Sequence, residues 1–108
     1  MDTEAKNHEV SNQEATSERA SNERVLANFL GPDGRLTTIP TKLSKLLVVL
    51  DHIAQEFEPG RTYPEAEVNE TLQRFHPDHA ALRRYLVENG FMTREDSLYW
   101  RSGGTFEV

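Results

Sequence analysis

The chain has 108 residues and a formal net charge of −6, from 18 acidic and 12 basic side chains. That length holds one small domain, and so acidic a chain repels polyanions in its mean field, which disfavours indiscriminate phosphate binding. It contains no cysteine, which excludes disulfides, thiolate zinc sites and a cysteine nucleophile and fits a reducing compartment.

The first residues, Met1-Asp2-Thr3-Glu4-Ala5-Lys6, lack the apolar stretch of a secretory signal. The longest apolar run, Leu46 to Leu50, is five residues, where a membrane span needs roughly 20. A cytoplasmic protein without membrane association is therefore expected. Residues 1–23 are rich in Glu, Asn, Ser, Thr and Ala, with Val10 the one large aliphatic side chain between Asp2 and Arg24. Such a segment buries too little apolar surface to offset its ordering entropy. It reads as a disordered acidic tail ahead of a folded domain over residues 24–108.

Val25-Leu26-Ala27-Asn28-Phe29-Leu30 reads as a short helix, stopped by the turn Gly31-Pro32-Asp33-Gly34. Arg35 to Ile39 is β-prone and Pro40 ends it. Thr41 is placed to cap the next helix. In that helix Leu43, Leu46, Leu47, Leu50, Ile53, Ala54 and Phe57 recur at three- and four-residue steps, the apolar stripe of an amphipathic helix. Glu58-Pro59-Gly60 stops it, and Arg61-Thr62-Tyr63 is a brief extended link.

Pro64 suits a first helical position, with Glu65 and Glu67 favouring the positive end of the helix dipole. Val68, Leu72 and Phe75 give this helix its buried face, and Pro77 bars its continuation. A further helix runs from about Asp78 to Asn89, with Leu82, Tyr85 and Leu86 inward and Gly90 as its stop. Phe91 to Arg94 and Leu98 to Arg101 then alternate around Glu95-Asp96-Ser97, a β-hairpin signal. The expected fold is α+β and winged-helix-like: three helices closed by a C-terminal hairpin, behind one short helix. Ser102 to Thr105 reads as a frayed end, with Phe106 and Val108 packing back.

From Gly34 to Arg101 the chain resembles a bacterial and archaeal family of domains of unknown function, number twenty eighty-seven. The resemblance is carried by Gly34-Arg35-Leu36-Thr37-Thr38-Ile39-Pro40, Phe57-Glu58-Pro59-Gly60-Arg61, Tyr63-Pro64-Glu65-Ala66-Glu67-Val68-Asn69, Arg74-Phe75-His76-Pro77-Asp78-His79, Leu82-Arg83-Arg84 and Tyr99-Trp100-Arg101. It implies a small domain found alone or attached to helix-turn-helix regulators similar to arsenic-responsive repressors, hence a part in transcription regulation. It implies no particular activity.

Several residue sets are candidates for chemistry. In a winged helix the third helix would enter a major groove, where Arg83 and Arg84 could read guanine edges, while Arg94 and Arg101 on the hairpin could grip the backbone of duplex DNA. His76 and His79 flank the start of that helix and join this candidate nucleic-acid-binding set. The competing reading pairs these arginines with Glu65, Glu67, Glu70, Glu88 and Glu95. His76, Asp78 and His79, with His52, are too few for a firm metal site, and helix capping by Asp78 explains the spacing better. No metal or cofactor is expected.

Glu65, Glu67 and Asn69 could suggest acid–base chemistry, but the first turn of a helix accounts for both glutamates. No phosphate loop or activated nucleophile is visible, so no enzyme activity is expected. Tyr63, Tyr85, Tyr99 and Trp100 could stack on bases or tie the hairpin to the core. Two functions remain open: a DNA-binding, transcription-associated module, or a winged helix used for protein contact, sensing or homodimerisation.

Overall fold

The computed structural model describes residues 18–106. Helix α1 covers residues 18–29, α2 Leu43–Ala54, α3 Glu65–Gln73 and α4 His79–Glu88. Strands β1 (Thr62–Pro64), β2 (Met92–Glu95) and β3 (Leu98–Arg101) form one antiparallel sheet in the order β1-β3-β2. The described residues are thus α+β, with four helices and three strands. None of the described helices is long and apolar enough to cross a membrane.

Helix α2 is the centre of the core. Leu46, Val49, Leu50, Ile53 and Ala54 are buried at the spacing that puts them on one helix face. Leu43, expected in that stripe, is 58% exposed, because it opens the helix a turn before the stripe meets the core. Val49 takes an inward place that the sequence reading did not give it. The expected cap also differs. Lys42, not Thr41, is the N-cap, and no side chain closes the first turn.

Residues 18–23, read from sequence as part of the tail, form the first half of α1. The rest of the expected tail, residues 1–17, lies outside the described residues, as does Val108. Helix α1 packs against the core through Leu26, Phe29 and Leu30. Arg35 to Ile39 does not become a strand. It makes one bridge, Leu30 to Leu36, and the Leu36 amide donates to Phe75 O at 2.8 Å. Arg35 reaches the end of α3, donating through Nη1 to Gln73 O at 2.9 Å and Arg74 O at 3.1 Å. A cation there satisfies helix carbonyls that have no partner in the helix and faces the negative end of its dipole.

The expected extended link after α2 is a strand, β1, whose residues Thr62, Tyr63 and Pro64 pair with Trp100, Tyr99 and Leu98. Tyr63 points inward and its hydroxyl accepts the Glu58 amide at 2.8 Å. Pro64 is the N-cap of α3 rather than its first helical residue. Asp78 caps α4 as expected, accepting the Ala81 amide at 3.2 Å. The exit from α4 is a Schellman turn. Gly90 at φ 79° donates to Val87 O, and Phe91 donates to Leu86 O. That use of the Phe91 amide starts β2 one residue later than the alternation implied.

Tyr99 and Arg101 face the helices, so Leu98 and Trp100 face the other way. Arg101 is 7% exposed. Its Nε donates to Gly103 O at 3.1 Å, Nη1 to Phe57 O at 3.4 Å, and Nη2 to Thr105 O. Asp51 accepts the Thr105 amide at 2.6 Å and the Thr105 hydroxyl at 2.8 Å. The expected frayed end is therefore bound to α2, with the Phe106 ring under the Arg101 guanidinium at 4.3 Å. Gly103 passes so close to Gly90 that a Cβ there would collide with the Gly90 carbonyl oxygen. A cavity of about 240 Å³ remains where this segment meets the two first helices, lined by Asn22, Leu26, Asp51, His52, Gln55 and Thr105 among others.

Two substitutions test this packing. Leu50 is fully buried, and Leu50→Ala should cost about 2–5 kcal/mol in denaturant unfolding. Arg101→Met keeps the bulk but leaves three carbonyls without their donor. It should cost about 1–3 kcal/mol and lower hydrogen-exchange protection of the Thr105 amide.

Candidate functional site

The side chains singled out for chemistry fall into two places. Arg83 and Arg84 lie on α4, and Arg94 lies on β2 beside them. They line one cleft of about 160 Å³ with Val87, Glu88 and Tyr99. Arg101 is not part of it. As the alternate residue to Trp100 it points into the core, where its guanidinium is consumed by main-chain carbonyls. Expected to grip a nucleic-acid backbone, Arg101 instead has a structural role.

Glu65 organises the cleft from beneath. It opens α3, and its amide donates to Ser97 O at 3.0 Å in the hairpin loop. Its Oε1 accepts the Tyr99 hydroxyl at 2.7 Å and lies 3.7 Å from Arg83 Nε and 4.0 Å from Arg94 Nη2. The Tyr99 hydroxyl is the main cause of a Glu65 carboxyl pKa below the ordinary range. Partial desolvation opposes that shift, and Arg83 and Arg94 add to it. Burial, and then the facing Glu65 carboxylate, pushes the Tyr99 phenol above its usual value.

The three arginines differ in freedom. Arg83 is the most enclosed, with Nη1 donating to Asn69 Oδ1 on α3. Arg84 and Arg94 are more than half exposed. Arg84 stands 3.6 Å from Glu88 and over the Tyr85 ring. The Arg94 stem is fixed by a 2.9 Å bond from Nε to Asp96 O. Three of the acid pairings weighed from sequence thus occur, through Glu65 twice and Glu88 once, and Glu67 pairs instead with Arg61 at 3.0 Å.

His76 and His79 are tied to the turn before α4. The Asp78 amide donates to His76 Nδ1 at 3.0 Å, and His79 Nδ1 lies 3.3 Å from Gln73 Nε2. Among the described residues no three His, Asp or Glu side chains converge as a metal site would require. Sequence reasoning gave Asn69 no part in this arrangement, and it left Tyr99 between base stacking and anchoring the hairpin, without its carboxylate partner. A polar side chain at position 69, one turn from Glu65 on the same helix, was the available signal.

The sequence pattern of DUF2087, described as an uncharacterized protein conserved in bacteria, matches residues 35–101. The chain belongs to the DUF2087 family. No curated protein matches it. No solved structure matches it either. The DUF2087 span opens at Arg35, which closes α3, and ends at Arg101, which holds the chain's last described segment. Glu65, Asn69, Arg83, Arg94 and Tyr99 all lie inside it.

The Tyr99–Glu65 bond has a pH signature. Glu65 contributes stability above its unfolded pKa of about 4.3 and loses it as pH falls through its depressed folded value. Tyr99 contributes stability below its unfolded pKa of about 10 and loses it as pH rises through its raised folded value. In Tyr99→Phe, followed by carboxyl-detected NMR, the Glu65 midpoint should rise toward the ordinary range. An unchanged midpoint would mean that the hydroxyl does not set it.

Proposed function

We propose that this DUF2087 domain is a winged-helix regulatory module that works by docking a protein partner. The order α2, β1, α3, α4, β2, β3 with sheet order β1-β3-β2 supports the winged-helix reading, with α4 as the third helix and β2–β3 as the wing. The observation that carries the protein reading is the balance of charge on the face such a fold lays on DNA. Arg83, Arg84 and Arg94 stand there against Glu65 and Glu88, and the wing carries Glu95 and Asp96 at its tip. A duplex would meet about two open guanidiniums, where strong binders neutralise roughly 6 to 10 phosphates.

The outer face of the sheet is different. Trp100 sits between Thr62 and Thr93, and Leu98, which is 45% exposed, sits between Pro64 and Glu95. An aromatic and an aliphatic side chain set among two threonines and a proline, with Glu95 the one charged side chain among these pairs, are closer in composition to a protein contact than to a phosphate contact. The partner this face suits is a protein surface that presents apolar side chains.

Duplex DNA is the second reading. It is favoured by the exposure of Arg84 and Arg94 on either side of α4's outward face.

One pair of measurements separates the two. A photo-crosslinker at position 98 should join the domain to one defined protein in the cells that make it, and Thr93→Arg on the same face should abolish that product. Fluorescent random-sequence duplex, titrated at several salt concentrations, should show no saturable binding near physiological salt. If no crosslink depends on this face, and duplex binding is saturable and lost in the Arg84→Ala, Arg94→Ala protein, DNA recognition replaces protein docking.

A further inference from the structure

The cleft between α4 and the hairpin presents two open guanidinium groups, of which that of Arg94 is held in place. Arg94 is anchored through Nε, which leaves both Nη groups without a hydrogen-bond acceptor among the described residues, since 4.0 Å to Glu65 is beyond hydrogen-bond reach. Arg84 donates no hydrogen bond among them. Its nearest acid, Glu88, is 3.6 Å away, and its guanidinium rests 5.0 Å from the centre of the Tyr85 ring. Arg83 is already committed to Asn69 and stands behind them. Val87, Glu88 and Tyr99 also line the cleft, Tyr99 being 1% exposed.

Charge, size and polarity then select a ligand class. Three arginines against Glu65 and Glu88 leave one positive charge uncompensated, which a monoanion balances and a polyphosphate overshoots. The volume of about 160 Å³ is below the roughly 300 Å³ at which drug-sized sites begin, which suits a small ligand better than a nucleotide. The fork of an arginine matches the two oxygens of a carboxylate, and the half-buried side chain of Val87 offers contact to a non-polar body.

We infer that this cleft binds a small organic monocarboxylate, with Arg84 and Arg94 holding the carboxylate and Val87 the apolar part. The site uses the face opposite in character to the outer sheet surface and does not depend on the docking reading. Binding there would couple to the whole domain, because Arg94 shares Glu65 with Tyr99 and Arg83.

The experiment is a titration of the isotopically labelled full chain at constant ionic strength. The probes are sodium benzoate, benzamide, inorganic phosphate and sodium chloride. Benzoate should give saturable shifts at the amides of Val87, Arg94 and Tyr99. Arg84→Ala and Arg94→Ala should each weaken it by about tenfold or more, with spectra unchanged away from the cleft, whereas Arg61→Ala should have no effect. Benzamide acting as strongly as benzoate would overturn the carboxylate requirement. Phosphate binding as tightly as benzoate would overturn the apolar subsite. Shifts no larger than those from chloride, or full benzoate affinity in both cleft variants, would overturn the site itself.

Discussion

A single carboxylate joins four elements of this fold. Glu65 begins α3, bonds the hairpin loop through its amide, accepts the hydroxyl of β3's Tyr99, and sits between Arg83 of α4 and Arg94 of β2. Each charge pair alone is a partly exposed contact of small worth. Their effect is geometric. The tyrosine ring is in the core and its hydroxyl is at the boundary, so the position of Glu65 is set from inside, and the arginines are set by Glu65. The orientation of the hairpin against α4 follows from that chain of contacts and from the tight turn at Gly90.

Much of the helical architecture was legible in the sequence because it depends on local spacing. Leu46, Leu50 and Ile53, then Val68, Leu72 and Phe75, then Leu82 and Leu86 declare their buried faces by period alone. The Asp78 cap and the Gly90 stop are equally local. What escaped is non-local. Strand β1 has three residues and one buried side chain, too few to show alternation, and it exists because β3 pairs with it. Arg101 was read as a surface cation by residue type. The same alternation that turns Tyr99 inward also turns residue 101 inward, and the carbonyls that receive it come from Phe57 and from the segment beyond β3.

The candidate site was legible in its members and not in their relations. Arg83, Arg84 and Arg94 do gather on one face, as their places on α4 and the hairpin implied. The acids that temper them could be counted in the sequence, but only the folded chain shows which face which. Glu65 lies 34 residues from Tyr99, so no spacing rule joins them. The consequence is a face whose positive charge is mostly offset, three arginines standing against Glu65 and Glu88.

The meeting of α1, α2 and the segment after β3 bears on how such a domain can be built into a larger polypeptide. Asn22 of the first helix and Thr105 of the segment after β3 line the same cavity, so these two parts of the described domain lie on one side of it. Domains with neighbouring ends can be spliced into a surface loop of a host without prising the loop apart. The strap that Asp51 and Arg101 hold is therefore also a geometric adaptor, since it brings the segment after β3 back against the first helix of the described domain.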